Sequence, residues 1–206
     1  MVYRRKRTYR RKYPRRKRVY KRRVTRRKYS GGKIFAFKRK FEATGVIVMP
    51  GTAFSQIYSF SLGNVPSSTD YTNLFDMYRI TGVKLTITPN TDSNDLLSVG
   101  KFNMFSVIDY NDLSTITVVQ AEQYQNCKRT ISTRVHSRYI KPKIAIQQSD
   151  VSATAFTASY RAPWISTTNI NVAHGFIKMI SDVNPNAVNV VFKVDCTMYM
   201  QFKNVN

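Results

Sequence analysis

From residue 35 onward, apolar side chains recur at every second position, the period of a β-strand with one face buried and one wet. Phe35, Phe37 and Phe41 alternate with Ala36, Lys38 and Lys40, and an apolar run at 46–49 follows Gly45, which predicts a bent or bulged first strand. Phe54, Gln56, Tyr58, Phe60 and Leu62 face one way, with Ser55, Ser59 and Ser61 opposite. Val83, Leu85 and Ile87 alternate with Lys84, Thr86 and Thr88 up to Pro89, where a turn-rich stretch begins, and residues 99–110 form a fourth run.

The later pattern is clearer. Across 128–139 the even positions Lys128, Thr130, Ser132, Arg134, His136 and Arg138 are polar, while Ile131, Val135 and Tyr139 share the odd face with Arg129. This predicts one strand with a core face and a basic, solvated ridge. A weaker run covers 155–160, another strand covers 172–180, and the last is the most regular. There Val188, Val190, Phe192, Val194, Cys196, Met198, Met200 and Phe202 alternate with polar neighbours over a length that crosses a whole sheet.

One segment reads as helix. Ser67 or Ser68 can cap a turn in which Tyr71, Leu74, Phe75 and Tyr78 recur at i, i+3, i+4 and i+7, with Gly82 as the stop. The sum is an all-β fold, an eight-stranded antiparallel jelly-roll sandwich with one short helix. An immunoglobulin-like sandwich is the alternative, but the cysteines give it no disulfide signature.

Charge divides this picture in two. Arg4, Arg5, Lys6, Arg7, Arg10, Arg11, Lys12, Arg15, Arg16, Lys17, Arg18, Lys21, Arg22, Arg23, Arg26, Arg27 and Lys28 all precede the first carboxylate, Glu42. With Lys33, Lys38, Arg39 and Lys40, 21 of the 34 basic residues fall in the first forty positions, leaving 13 bases against 11 acids in the remainder. Nearly all of the net +23 is thus one polycationic arm, residues 1–40, on a nearly neutral body, residues 41–206. Few apolar groups, Pro14 and self-repulsion predict that the free arm is disordered. Extended, it reaches roughly 130 Å.

Such a field seeks a polyanion. Tyr3, Tyr9, Tyr13, Tyr20 and Tyr29 lie between the basic clusters, so flat rings can stack on exposed bases while Arg and Lys follow the phosphates, a combination that favours single-stranded nucleic acid. The same short basic runs suit recognition by a host nuclear import receptor. No amphipathic stripe, apolar leader segment or run of transmembrane length is present, so no membrane insertion is expected. The ridge of Lys128, Arg134 and Arg138 has three open readings: a solvated face, an additional nucleic-acid contact, or a site for a sulfated glycan. Phe156, Tyr160 and Trp164, in a long loop region, are candidates for interface anchors or for ordinary core packing.

Other chemistry finds little support. Cys127 and Cys196 make no CxxC pair, and Cys196 sits on the apolar face of the last strand as a free thiol. His136 and His174 lack paired-ligand spacing, and Asp109 with Asp112 reads as a turn. No nucleophile elbow or Walker-type loop occurs, so neither an enzyme, a metal nor a cofactor is expected.

The stretch Leu74-Phe75-Asp76-Met77-Tyr78-Arg79-Ile80-Thr81-Gly82-Val83-Lys84-Leu85, closing at Pro89, resembles the helix-to-strand segment of capsid proteins from circular Rep-encoding single-stranded DNA viruses of the circovirus and cyclovirus type. The arm resembles theirs too. So do Tyr139-Ile140-Lys141-Pro142-Lys143, Pro163-Trp164-Ile165, His174-Gly175 and the closing Tyr199-x-x-Phe202-Lys203, and the likeness runs over most of the chain. The resemblance implies a homo-oligomeric T=1 icosahedral shell of about sixty copies. It further implies a circular single-stranded DNA genome bound by inward arms, exterior loops that meet a host attachment receptor, and residence in the virion and, during assembly, the host nucleus. A cellular nucleic-acid-compacting protein and the coat protein of a small RNA satellite virus share parts of this pattern.

Overall fold

The computed structural model describes residues 33–90, 101–110, 113–147, 156–158 and 162–205. The strands are β1 (Phe35–Val48), β2 (Ser55–Ser59), β3 (Phe75–Pro89), β4 (Asn103–Asp109), β5 (Lys128–Ile131), β6 (His136–Ile140), β7 (Ala145–Gln147), β8 (Phe156–Ala158), β9 (Ile165–Ser166), β10 (Phe176–Ser181) and β11 (Val190–Val205). Among the described residues two short α-helices join them, α1 (Ser68–Leu74) and α2 (Val118–Gln123).

Eight strands make the sandwich. One sheet runs β1-β11-β3-β6, with β9 added at β3, and the other runs β2-β10-β4-β5. Every pairing is antiparallel, and the chain passes back and forth between the sheets, as a double Greek key requires. The small β7-β8 hairpin and β9 belong to the long connection from β6 to β10.

The alternation read from the sequence becomes the core. Val83, Leu85 and Ile87 of β3 and Val194, Met198 and Phe202 of β11 are buried against Met104, Ile177 and Met179 of the opposite sheet. The irregularity expected in the first strand is present as a register shift between Ala43 and Val46, where a Cβ on Gly45 would lie 3.2 Å from the Phe192 carbonyl oxygen. The second sheet carries a smaller core on its other side, where Ile116 and Ala121 of the α2 segment cover Phe105, Val107 and Ile180. That face is therefore closed by the chain itself.

The helix is shorter than its periodicity implied. It ends at Leu74, which is exposed, and Phe75 and Tyr78 already belong to β3, paired with Val205 and Phe202. Ser67 occupies the N-cap position without a side-chain capping bond, and Gly82 lies inside β3 rather than at a helix end. A sheet partner satisfies the backbone groups of 75–78 and buries both rings, which outweighs a short helix of modest propensity. The unexpected α2 starts at a capping box: Gln120 N donates to Thr117 Oγ1 at 3.3 Å and Thr117 N donates to Gln120 Oε1 at 2.8 Å.

Residues 128–139 are not one strand. β5 pairs with β4 and β6 pairs with β3, so the chain changes sheet in the turn at 132–135. Buried Ser132 anchors that turn, donating its N–H to the Phe102 carbonyl at 2.9 Å and accepting from Phe102 N at 3.3 Å. The expected faces are consequently overturned, because Ile131, Val135 and Tyr139 are exposed whereas His136 is 1% exposed. A turn resets the parity of the side chains, which sequence alternation alone does not register.

His136 ties the two sheets together, with Nε2 2.7 Å from Ser106 Oγ and Nδ1 2.8 Å from Thr130 Oγ1. Burial, reinforced by Lys128 and Arg138, lowers its pKa from 6.5 to about 4. Between these values the unfolded chain binds the proton and the folded one does not, so this contribution is complete above about pH 6.5 and is lost as pH falls toward 4, on the order of 3 kcal/mol. Urea denaturation between pH 7 and 4.5 is expected to show a steeper loss of stability for the wild type than for His136→Gln; parallel curves would remove His136 as the cause.

Candidate nucleic-acid interface

The register of the first sheet assembles a surface that no single strand displays. On its outward side Lys40 of β1, Thr197 of β11, Lys84 of β3 and Tyr139 of β6 stand in one cross-strand row. The next row holds Lys38, Tyr199 and Gly82. Gly82 leaves a gap there. A Cβ at this position would overlap the Tyr139 hydroxyl, so the missing side chain lets the ring of Tyr139 lie across β3 toward Tyr199. The two rings meet edge to face, with centroids 6.3 Å apart and planes at 64°.

A lysine stands opposite each of these rings in the register, Lys84 opposite Tyr139 and Lys38 opposite Tyr199. Lys38 Nζ lies 5.9 Å from the centre of Tyr199. Farther along, Arg79 and Lys203 approach the Trp164 ring at 4.5 and 4.8 Å, and Arg79 Nε donates to Gln201 Oε1 at 2.8 Å. The acids are at the other end of the face, where Asp195 takes Lys40 at 3.1 Å and Glu42 takes Lys193 at 3.4 Å. Among the described residues, no ion pair engages Lys38, Arg79, Lys84 or Lys203.

The sequence-derived candidates are distributed differently. The basic residues Arg4 to Lys28 and the tyrosines Tyr3, Tyr9, Tyr13, Tyr20 and Tyr29 lie outside the described residues, as do Tyr160 and Asp112. Lys33 begins the described chain, and β1 starts at Phe35, so part of the 1–40 segment is strand. Phe156 is in β8. Trp164 is half-buried beside two cations, and so it belongs neither to the sandwich core nor to a bare apolar patch.

Lys128, Arg134 and Arg138 do not share a strand face. Lys128 Nζ donates to the Ser137 carbonyl at 2.8 Å and the Arg138 guanidinium to the Asn126 carbonyl at 2.5 Å, so both span the seam between β5 and β6. Arg134 stands exposed in the turn beside Arg129. Sequence reasoning passed over Tyr199, Lys38, Lys84 and Arg79 as a group, since their positions span from 38 to 199 and only strand pairing unites them.

Other titratable groups are structural. Asp109, expected in a turn, is buried in an ion pair with Lys178 at 2.8 Å. Cys196 is buried as a free thiol with its pKa pushed up to about 12 by burial, and Cys127 is likewise free and raised. Burial lowers the pKa of His174, whose Nδ1 lies 2.7 Å from the Val172 carbonyl oxygen. Gly175 beside it has φ +112 and opens β10; a side chain there would meet Tyr110 and Ile140 near 3 Å. Gly175→Ala is expected to destabilise the body by about 1–3 kcal/mol, checked by urea midpoint, because an L-residue is strained at that φ. No cluster of three metal-ligating side chains occurs among the described residues, and none of their helices is long and apolar enough to cross a membrane.

Comparisons with known proteins agree on one architecture. The capsid protein of BFDV in a 60-mer crystal structure superposes with TM-score 0.68 at 17% identity, covering 85% of this chain and 96% of that one. Its decameric form gives 0.56 at 17% identity, with 84% and 100% covered. The cryo-EM structure of Mud crab tombus-like virus gives 0.56 at 11% identity, with 85% and 90% covered. At such identities the likeness establishes the fold. No curated protein sequence matches the chain. The family description "Circovirus capsid protein" matches residues 3–206, which takes in the basic arm as well as the jelly roll, and the chain therefore belongs to the circovirus capsid protein family.

Proposed function

We propose that this capsid protein closes into a T=1 shell of about sixty copies and packages circular single-stranded DNA through its N-terminal arm. The observation that carries this reading is the charge distribution: 17 basic residues and no acid in 1–32, joined to a jelly-roll body of capsid type. About sixty such arms, counted with the further bases up to residue 40, carry on the order of 1,200 positive charges, enough for a large share of the phosphates of a genome of roughly one to two thousand nucleotides.

The role is structural and non-catalytic. Phosphate contacts dominate, so binding is tolerant of sequence and weakens with salt by roughly 0.7 log units per log salt for each phosphate engaged. The arm tyrosines add base stacking. Neutralisation of the arms removes the repulsion between subunits, which couples packaging to assembly. The same basic runs engage a host nuclear import receptor, which brings the protein to the host nucleus, and exterior loops engage the attachment receptor, with Arg129 and Arg134 as the exposed basic pair suited to a sulfated glycan.

Negative-stain electron microscopy with mass determination at moderate salt is expected to give uniform closed shells of about sixty subunits; monomers and open aggregates with added DNA would point instead to a nucleic-acid-compacting protein. Nuclease treatment of purified shells, followed by disruption, is expected to release a nucleic acid sensitive to DNase, and RNase sensitivity would assign the cargo to RNA.

A further inference from the structure

We propose that the outward face of the β1-β11-β3-β6 sheet is a second nucleic-acid site, on which Tyr139 and Tyr199 stack single-stranded bases while Lys38, Lys84, Arg79 and Lys203 hold the phosphates. The inference rests on the reading that this protein packages single-stranded nucleic acid, and it assigns part of that task to the folded body.

Three observations converge on this face. The outer side of the opposite sheet is covered by the α2 segment, whereas this one has no such cover among the described residues, and Tyr139, on the edge strand β6, is 52% exposed. Its rings are held in place, since Gly82 vacates the space into which the Tyr139 hydroxyl fits and Tyr199 meets that ring edge to face. A stacking platform that is ordered before binding loses little entropy on binding. The third observation is charge: Glu42 and Asp195 pair with Lys193 and Lys40 at one end, which leaves the cations beside the rings without carboxylate partners among the described residues. Aromatic rings between unpaired cations repeat, in folded form, the composition of the arm.

Covalent continuity adds to this. The arm enters the body through β1, whose first outward lysine is Lys38, opposite Tyr199. Nucleic acid is favoured over an acidic protein because an acidic peptide needs the cations but has no use for open ring faces.

The test uses the full-length chain and exploits Trp164, its single tryptophan, which sits between Arg79 and Lys203. A labelled oligo(dT) of about 20 nucleotides is compared with an abasic oligonucleotide of equal length, with anisotropy reporting total binding and Trp164 fluorescence reporting this face. Oligo(dT) is expected to quench Trp164 about twofold more than the abasic strand does. Tyr139→Ala with Tyr199→Ala is expected to weaken oligo(dT) binding about tenfold, while the Phe/Phe pair keeps affinity, which separates stacking from a merely structural effect. Gly82→Ala, whose Cβ would displace the Tyr139 ring from its place over β3, is expected to weaken binding in the same direction. Lys38→Gln with Lys84→Gln is expected to reduce the salt slope by about 1.4.

Equal quenching by both strands, or unchanged affinity in the Ala/Ala variant, would overturn the proposal. If anisotropy rises without Trp164 quenching, this site falls and the arm stands. If neither strand binds at all, the packaging reading falls and takes this inference with it.

Discussion

Deletion of residues 1–32 is expected to leave a folded body that no longer encloses nucleic acid. The deletion removes 17 of 34 basic residues and lowers the net charge from +23 to +6 (23 − 17) without touching a strand. Contacts divide the chain between Gly31 and Gly32, and the sheet begins at Phe35. Each phosphate no longer contacted subtracts roughly 0.7 from the slope of log affinity against log salt, so binding becomes weak and keeps only the salt dependence of the phosphates that the body itself contacts. The absorbance ratio at 260 and 280 nm of purified particles, with extraction of protected nucleic acid, measures the outcome. Particles of the truncated protein that protect DNA at wild-type levels would refute the assignment of packaging to the arm.

The boundary matters to this experiment. A deletion to residue 40, which the charge pattern alone recommends, also removes Phe35 and Phe37, whose rings pack 5.4 and 5.9 Å from Phe75, together with the Lys40–Asp195 pair and the first part of the β1–β11 register. That variant is expected to lose solubility as well as packaging. Comparing the two truncations by circular dichroism and thermal unfolding separates loss of charge from loss of structure.

Phe202→Ala is expected to be the most damaging single core substitution in the body. The side chain is 0% exposed and lies at the centre of an aromatic cluster, stacked on Tyr71 at 4.9 Å, tilted against Phe75 at 5.1 Å and edge-on to Phe37 at 5.6 Å. Truncation removes its transfer free energy and leaves a cavity among rings that cannot all relax, a loss of about 3–5 kcal/mol. Domains of this kind have about 5–15 kcal/mol in total, so the melting temperature is expected to drop by about 10 °C or more. Phe202→Leu should cost markedly less, since it refills much of the volume. Denaturant unfolding measures the difference, and a loss under about 1 kcal/mol for the alanine variant would show that the cluster is not a cooperative part of the core.

This cluster also links the arm to the body. Phe37 of β1, Tyr71 of α1, Phe75 of β3 and Phe202 of β11 meet at the end of the sheet where the arm joins, and Arg39 Nε donates to the Tyr71 hydroxyl at 2.8 Å.

Much of the fold was legible in the alternation. The two-residue period of 83–89 and 188–202 identified β3 and β11, the central strands of their sheet, because strands whose inner face is fully buried cannot vary freely at those positions. Gly45 and the interrupted pattern around it marked the irregularity in β1. Where the reading failed, a non-local partner had decided. Phe75 and Tyr78 fit a helical spacing and a strand equally well in isolation, and β11 claimed them. Residues 128–139 alternate without interruption, yet a buried serine turns the chain between sheets and exchanges the buried and exposed positions. The capping box at Thr117 was present in the sequence and sufficient to mark α2.

The sequence by itself determined the polycationic arm, the neutral strand-rich body and the family resemblance, since charge density and side-chain period are local properties that survive without coordinates. Only the tertiary structure decided which sheet face stays open, and which cations on it remain unpaired, among the described residues. It also decided that Tyr139, lying over Gly82, meets a tyrosine sixty residues away. The reason is physical: period two says that a strand has two faces, but which face is covered depends on the sheet or helix packed against it, and adjacency between strands is set by pairing register rather than by distance along the chain.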